Sequence, residues 1–100
     1  MTADEQLKKR VRYEWHFEQW DKHGDIQDSG HIDLSEWPYH AIDDCEVKLV
    51  LRRYYYSYDN GVFDIGYAYY ENGQLSPLFD NGCKVPKAYL TAVIKLGASQ

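Results

Sequence analysis

An α+β architecture, an antiparallel sheet of four or five strands with a C-terminal helix packed across one face, is expected of this 100-residue chain on three grounds. Segments rich in β-branched and aromatic residues alternate apolar with polar positions. Asn-Gly dipeptides punctuate those segments at 60–61 and 72–73. One stretch near the C-terminus, opened by Pro86, has helical spacing instead. The length suits one domain, residues 1–100, with room for a single modest core. A hydrophobic content of 44% and an aromatic content of 16% belong to a folded chain, not to a disordered acidic tail.

From Arg10 to Trp20, "RVRYEWHFEQW" sets Val11, Tyr13, Trp15 and Phe17 on one side and Arg12, Glu14, His16 and Glu18 on the other. That is the pattern of a half-buried strand. The following "DKHGDIQDSGHIDLSEWPYHAIDD" reads as loop with one or two short strand pieces, anchored by Ile26, Ile32 and Leu34, and a helical turn after Ser35 that Pro38 keeps short.

Next, "EVKLVLRRYYYSY" and "VFDIGYAYY" form a long hairpin joined at Asn60-Gly61, the dipeptide that type I′ turns favour because both positions need positive φ. A two-residue loop there pairs Tyr58 with Phe63, Tyr56 with Ile65, Tyr54 with Tyr67 and Arg52 with Tyr69. Val47, Leu49, Leu51, Tyr55, Gly66, Ala68 and Tyr70 fall on the opposite face. Either both faces are covered for part of their length, or a bulge around Arg52-Arg53 swaps them.

Asn72-Gly73 turns the chain back into "QLSPLF", a third meander strand that Pro77 restricts to an edge or a bulge. In "PKAYLTAVIKL", Tyr89, Leu90, Val93, Ile94 and Leu96 share one side of a helix and Gly97 supplies its stop. The recurring YDNG, YENG and FDNG are therefore turns. They lack the ligand number and regular period of a calcium array.

The net charge of −5 is unevenly placed. Residues 21–46 hold eight acids, Asp21, Asp25, Asp28, Asp33, Glu36, Asp43, Asp44 and Glu46, against Lys22 alone. Residues 1–20 are neutral and residues 47–100 slightly basic. An acidic segment repels nucleic acid and attracts a basic protein surface, over a range set by a Debye length of about 8 Å at physiological salt. The same acids also serve as solvated loop. A protein surface rich in Lys and Arg is the partner this segment fits.

No apolar run follows the basic cluster of "MTADEQLKKRV", and no stretch approaches the roughly 20 apolar residues of a membrane span. A cytosolic protein without membrane attachment is expected. Cys45 and Cys83 belong to no CxxC pair and suit reduced thiols.

Among constellations that carry chemistry, Asp21, His23, Asp25, Asp28, His31 and Asp33 mix imidazole and carboxylate as a transition-metal site does, but match neither an EF-hand nor HExxH. No nucleophile sits in a recognised catalytic signature, and no phosphate-cradling glycine loop occurs. Binding without a cofactor, not catalysis, is the expectation. "RRYYYSY" places Arg52, Arg53, Tyr54, Tyr56 and Tyr58 on a sheet, a composition that can stack single-stranded nucleic acid, although the overall acidity weighs against it. Tyr and Arg are also enriched at protein interfaces, and Tyr-rich edges suit a homodimer as well.

The stretch "RYEWHFEQWDKHGDIQDSGHID", residues 12–33, resembles the opening of small accessory proteins encoded by temperate tailed phages and prophages. The resemblance covers about a fifth of the chain. It implies a compact, acidic, cytosolic protein made in the infected bacterium to bind and disable host machinery, a category that includes anti-CRISPR and anti-restriction proteins. Several of these act through acidic surfaces that occupy basic DNA-binding grooves. It assigns no functional residue. The expected function is thus inhibition of a bacterial nucleic-acid-handling complex by segment 21–46, with a single-stranded nucleic-acid module on the Arg/Tyr hairpin as the competing reading.

Overall fold

The computed structural model describes residues 10–41, 44–57 and 61–98. Five strands, β1 (Val11–Trp20), β2 (Ile26–His31), β3 (Glu46–Ser57), β4 (Gly61–Glu71) and β5 (Gln74–Leu75), form one antiparallel sheet in the order β2-β1-β3-β4-β5. Two short helical segments, α1 (Lys87–Ala92) and α2 (Ile94–Ala98), follow. The fold is α+β, with the C-terminal helical region packed against one face.

Strand alternation decides which side chains meet that region. β1 and β3 pair over ten residues, from Val11 opposite Tyr55 to Trp20 opposite Glu46. Leu51 and Ala68 are buried with Phe79, Val85 and Val93, and Tyr13, Trp15, Tyr89, Leu90 and Leu96 pack around them. Nearer β2, the same face buries Phe17, Ile32 and Leu49 beneath Leu34, Trp37 and Leu96. Tyr39 stacks on Phe17 with ring centroids 4.2 Å apart. Removing Leu49 and Leu51 from water, both fully, contributes about 1.5–3 kcal/mol each.

The hairpin of β3 and β4 departs from its expected register. Arg52 pairs with Tyr67, Tyr54 with Ile65 and Ser57 with Gly61. Gly61 is thus a strand residue, and the expected pairing of Tyr58 and the turn position Asn60 lie outside the described residues. Relative to a two-residue loop the shift is two positions from Leu49 to Tyr55, so the paired side chains there keep their faces, and three positions beyond the bulge. The bulge falls where Tyr55 opposes Asp64 and Tyr56 opposes Val62, leaving Phe63 as the extra residue on β4. It is not at Arg52-Arg53. Of the two arrangements the sequence allowed, burial on both faces is the one found: Val50 and Tyr54, opposite Leu49 and Leu51, are buried too.

At Asn72-Gly73 both residues have positive φ, 55° and 81°, and Glu71 pairs with Gln74 across them, as a type I′ turn requires. The strand after it is only Gln74–Leu75. Pro77 offers no amide to extend it, and an isolated bridge between Leu78 and Lys84 closes the next loop. The segment after Trp20, expected as loop with one or two short strand pieces, contains one six-residue strand, β2, and the helical turn beyond it is a 3-10 turn at Leu34–Glu36.

The C-terminal helix is interrupted at Val93. Its break keeps Val93 and Leu96 on the core and turns Ile94 outward, 65% exposed, against expectation. Gly97 accordingly falls inside α2 and does not terminate the first helix.

Candidate functional site

Most of the acidic residues lie on β2 or beside it, and Asp44 and Glu46 stand at the start of β3. Asp21 and Asp25 lie in the β1–β2 turn, next to the row in which Trp20 faces Ile26 on one side and Glu46 on the other. Asp28 is within β2, and Asp33 and Glu36 border the 3-10 turn past its far end. Asp25, Asp28, Asp33, Glu36, Asp44 and Glu46 are exposed, and Asp43 lies outside the described residues.

Asp21 is the organiser of its turn. Its Oδ1 accepts from the backbone N–H groups of His23 at 2.8 Å and Asp25 at 3.0 Å, and the Gln27 amide donates to Oδ2 at 2.6 Å. These bonds, that from Asp25 foremost, hold its carboxyl below the usual range. A shallow groove lies beside the rim, lined by Trp37, Pro38, Glu46, Lys48, Tyr70 and Glu71.

The Arg/Tyr set expected to act together is divided by strand alternation. Arg52, Tyr54 and Tyr56 lie on the face away from the helices. Arg53 is on the helix face, opposite Tyr13 on β1 and Gly66 on β4. Tyr58 lies outside the described residues. The available rings also have cations from this chain over them: Arg12 lies 5.5 Å from the Tyr54 centroid and 5.4 Å from that of Tyr56, and Arg52 lies 5.6 Å from that of Tyr67.

That face carries a polar chain crossing four strands. Tyr69 Oη donates to Glu18 Oε1 at 2.8 Å, joined by Trp20 Nε1 at 3.1 Å. Glu18 Oε2 is 3.8 Å from the Arg52 guanidinium, which reaches Tyr54 Oη at 3.4 Å. Tyr54 Oη is in turn 3.4 Å from His16 Nε2. The His16 nitrogen is 3.1 Å from Glu14 Oε1, and the same oxygen is 3.3 Å from His31 Nε2. Lys48 covers the Glu18 end, its Nζ 5.0 Å from the Trp20 ring and 5.7 Å from the Tyr69 ring.

Burial and charge set the protonation preferences along the chain. Burial pushes the Tyr69 phenol up, and the Glu18 carboxylate adds to the shift. Burial also lowers His16, aided by Arg52 and His31 and opposed by its hydrogen bond to Glu14. For Glu14 burial acts upward, but the His16 hydrogen bond and the Arg12 guanidinium outweigh it, and its carboxyl lies below the usual range.

Of the His/Asp residues considered as metal ligands from the sequence, only His31 joins such a grouping among the described residues, with Glu14 and His16 of β1. Sequence reasoning missed this site because it placed Glu14, His16 and Glu18 on the solvent side of a half-buried strand. The signal was there. Three ionisable residues at alternate positions need partners once a long strand pairs on both sides, and Lys48 and Arg52 bring charge to the same face.

Compared with protein-family models, with curated proteins and with solved structures, the chain matches none. Among the described residues no helix is long and apolar enough to cross a membrane. The fold and site define a class by themselves: a small antiparallel-sheet domain with an acidic rim along one edge and an ordered polar chain across the face the helices leave.

Proposed function

We propose that this chain is a protein-binding inhibitor of phage or prophage type, whose acidic rim docks in a basic groove of a bacterial nucleic-acid-handling complex, such as a CRISPR or restriction assembly, and excludes the nucleic acid. The observation that carries the reading is the placement of the acids. Four exposed carboxylates, Asp25, Asp28, Asp33 and Glu36, lie on β2 or in the segments flanking it, Asp44 and Glu46 stand at the start of β3, and Lys22 is the one Lys or Arg in residues 21–46. Such a border concentrates negative potential on one side, which steers a basic partner toward it and repels nucleic acid.

Two further features support docking at this edge. β2 is the terminal strand of the sheet, so its outer backbone groups face away from β1. Asp21 fixes the turn that carries Asp25, which lowers the ordering cost of binding through that turn. The resemblance of residues 12–33 to phage accessory proteins supplies the biological setting.

The test is capture from nuclease-treated bacterial lysate with wild type and with two neutralised forms. One carries Asp25→Asn, Asp28→Asn, Asp33→Asn and Glu36→Gln; the other carries Asp43→Asn, Asp44→Asn and Glu46→Gln. A basic nucleic-acid-binding protein held by wild type and lost by a neutralised form is expected. The same proteins held by all three would refute docking through the rim.

A further inference from the structure

We propose that Glu14, His16 and His31 form a binding site for a divalent transition-metal ion, best matched to Zn²⁺. The site lies outside the acidic rim and does not depend on the docking reading.

The donor set is the first argument. Two imidazoles and a carboxylate, with a position left for water, form one of the ligand sets that hold Zn²⁺ in open sites. The spacing is the second. Ligands at about 2.0–2.1 Å on a tetrahedral ion stand about 3.3 Å from one another. Here Glu14 Oε1 lies 3.1 Å from His16 Nε2 and 3.3 Å from His31 Nε2, and all three ligand atoms fall within 4.8 Å of one another. The two imidazole centroids are 4.3 Å apart, so both rings converge on one carboxylate oxygen.

The backbone supplies the pre-organisation. Glu14 and His16 are two apart on β1 and share a face, while His31 on β2 sits directly opposite His16. The arrangement therefore rests on paired strands and not on a mobile loop. Arg12 Nε lies 3.0 Å from Glu14 Oε2, which leaves Oε1 to the imidazoles. One side of the site is walled by buried His16 and the other is open, the His31 side chain being 70% exposed. An ion can enter from solvent and keep a water ligand.

Two features temper the affinity. Arg12 and Arg52 place positive charge near the cluster, although Arg12 is 58% exposed and screened by water. His16 Nδ1 is buried without a partner, so when Nε2 ligates, the proton on Nδ1 has no acceptor among the described residues.

The experiment titrates metal-stripped protein with Co²⁺, read by visible absorption, and with Zn²⁺, read by calorimetry and by displacement of Co²⁺. One Co²⁺ per chain is expected, with the intense visible bands of four-coordinate geometry, displaced by Zn²⁺. His31→Ala, at an exposed position that leaves folding intact, and Glu14→Gln should each weaken binding about a hundredfold or more. His23→Ala, in the β1–β2 turn, should leave it unchanged. Absence of a Co²⁺ signal, or a His31→Ala variant that binds as wild type does, would overturn the site.

Discussion

The carboxylate of Glu18 is 2% exposed and lies within reach of three side chains, those of Tyr69, Trp20 and Arg52. A buried carboxylate stripped of a donor costs more than the hydrogen bond it loses, because its desolvation is no longer offset. Tyr69→Phe should therefore lower the unfolding free energy by about 1–3 kcal/mol, measured by urea denaturation; an unchanged midpoint would show the contact to be idle. The phenol also gives a pH dependence. Burial and Glu18 hold its folded pKa above the ordinary value of about 10, so the fold favours the protonated form. That contribution is complete below pH about 10 and is lost as pH rises toward the folded value. The Phe variant should lose less stability than wild type over this alkaline range. At Asp21 the sign is opposite. Its carboxyl is held low by backbone donors, so its contribution is present above its unfolded pKa and fades as pH falls through the folded value. Asp21→Ala should speed amide hydrogen exchange at His23 and Asp25, whose N–H groups it accepts from. Exchange as slow as in wild type would mean that the turn does not depend on it.

At the scale of elements, legibility followed local chemistry. The Asn72-Gly73 turn and the strand character of residues 46–57 and 61–71 could be read directly, because each depends on residues within a few positions. What could not be read depends on distant pairing. The segment holding β2 was legible only as loop with short strand pieces, and Ile26–His31 becomes one continuous strand because β1 offers it a partner edge from His16 to Trp20. The polar chain was invisible for the same reason: nothing local says that Glu18 will lie under Tyr69, 51 positions away. Gly66 also takes its meaning from tertiary structure. A Cβ there would meet Asn81 Nδ2 at 2.8 Å and Phe79 Cβ at 3.2 Å, where the loop after β5 folds back on β4. Asn81 is not free to swing aside, since its Oδ1 accepts from the Cys83 N–H at 3.0 Å. Gly66→Ala should accordingly cost about 1–3 kcal/mol in denaturation experiments, whereas a neutral result would mean that the loop moves off readily.

The whole molecule is asymmetric in both directions across the sheet. One face is covered by α1, α2 and residues 32–39, and the other carries the charged and aromatic chain. One edge is closed where the loop returns to β4, with Asp80 bonded to Tyr67 through both its backbone and its carboxylate. The other edge, β2, is bordered by acids. This asymmetry gives the docking account its direction, and its electrostatic origin gives it a salt dependence. Affinity for a basic partner should fall steeply as salt rises from about 0.05 to about 0.5 M, when the Debye length contracts from about 14 to about 4 Å. The most direct measurement is displacement: the protein is titrated into a complex of the captured partner with labelled nucleic acid, at low and high salt. The account predicts release of the label by wild type at low salt, with little release at high salt or by the neutralised forms. Nucleic acid that stays bound at saturating wild-type protein, or is released equally by the neutralised forms, would contradict it.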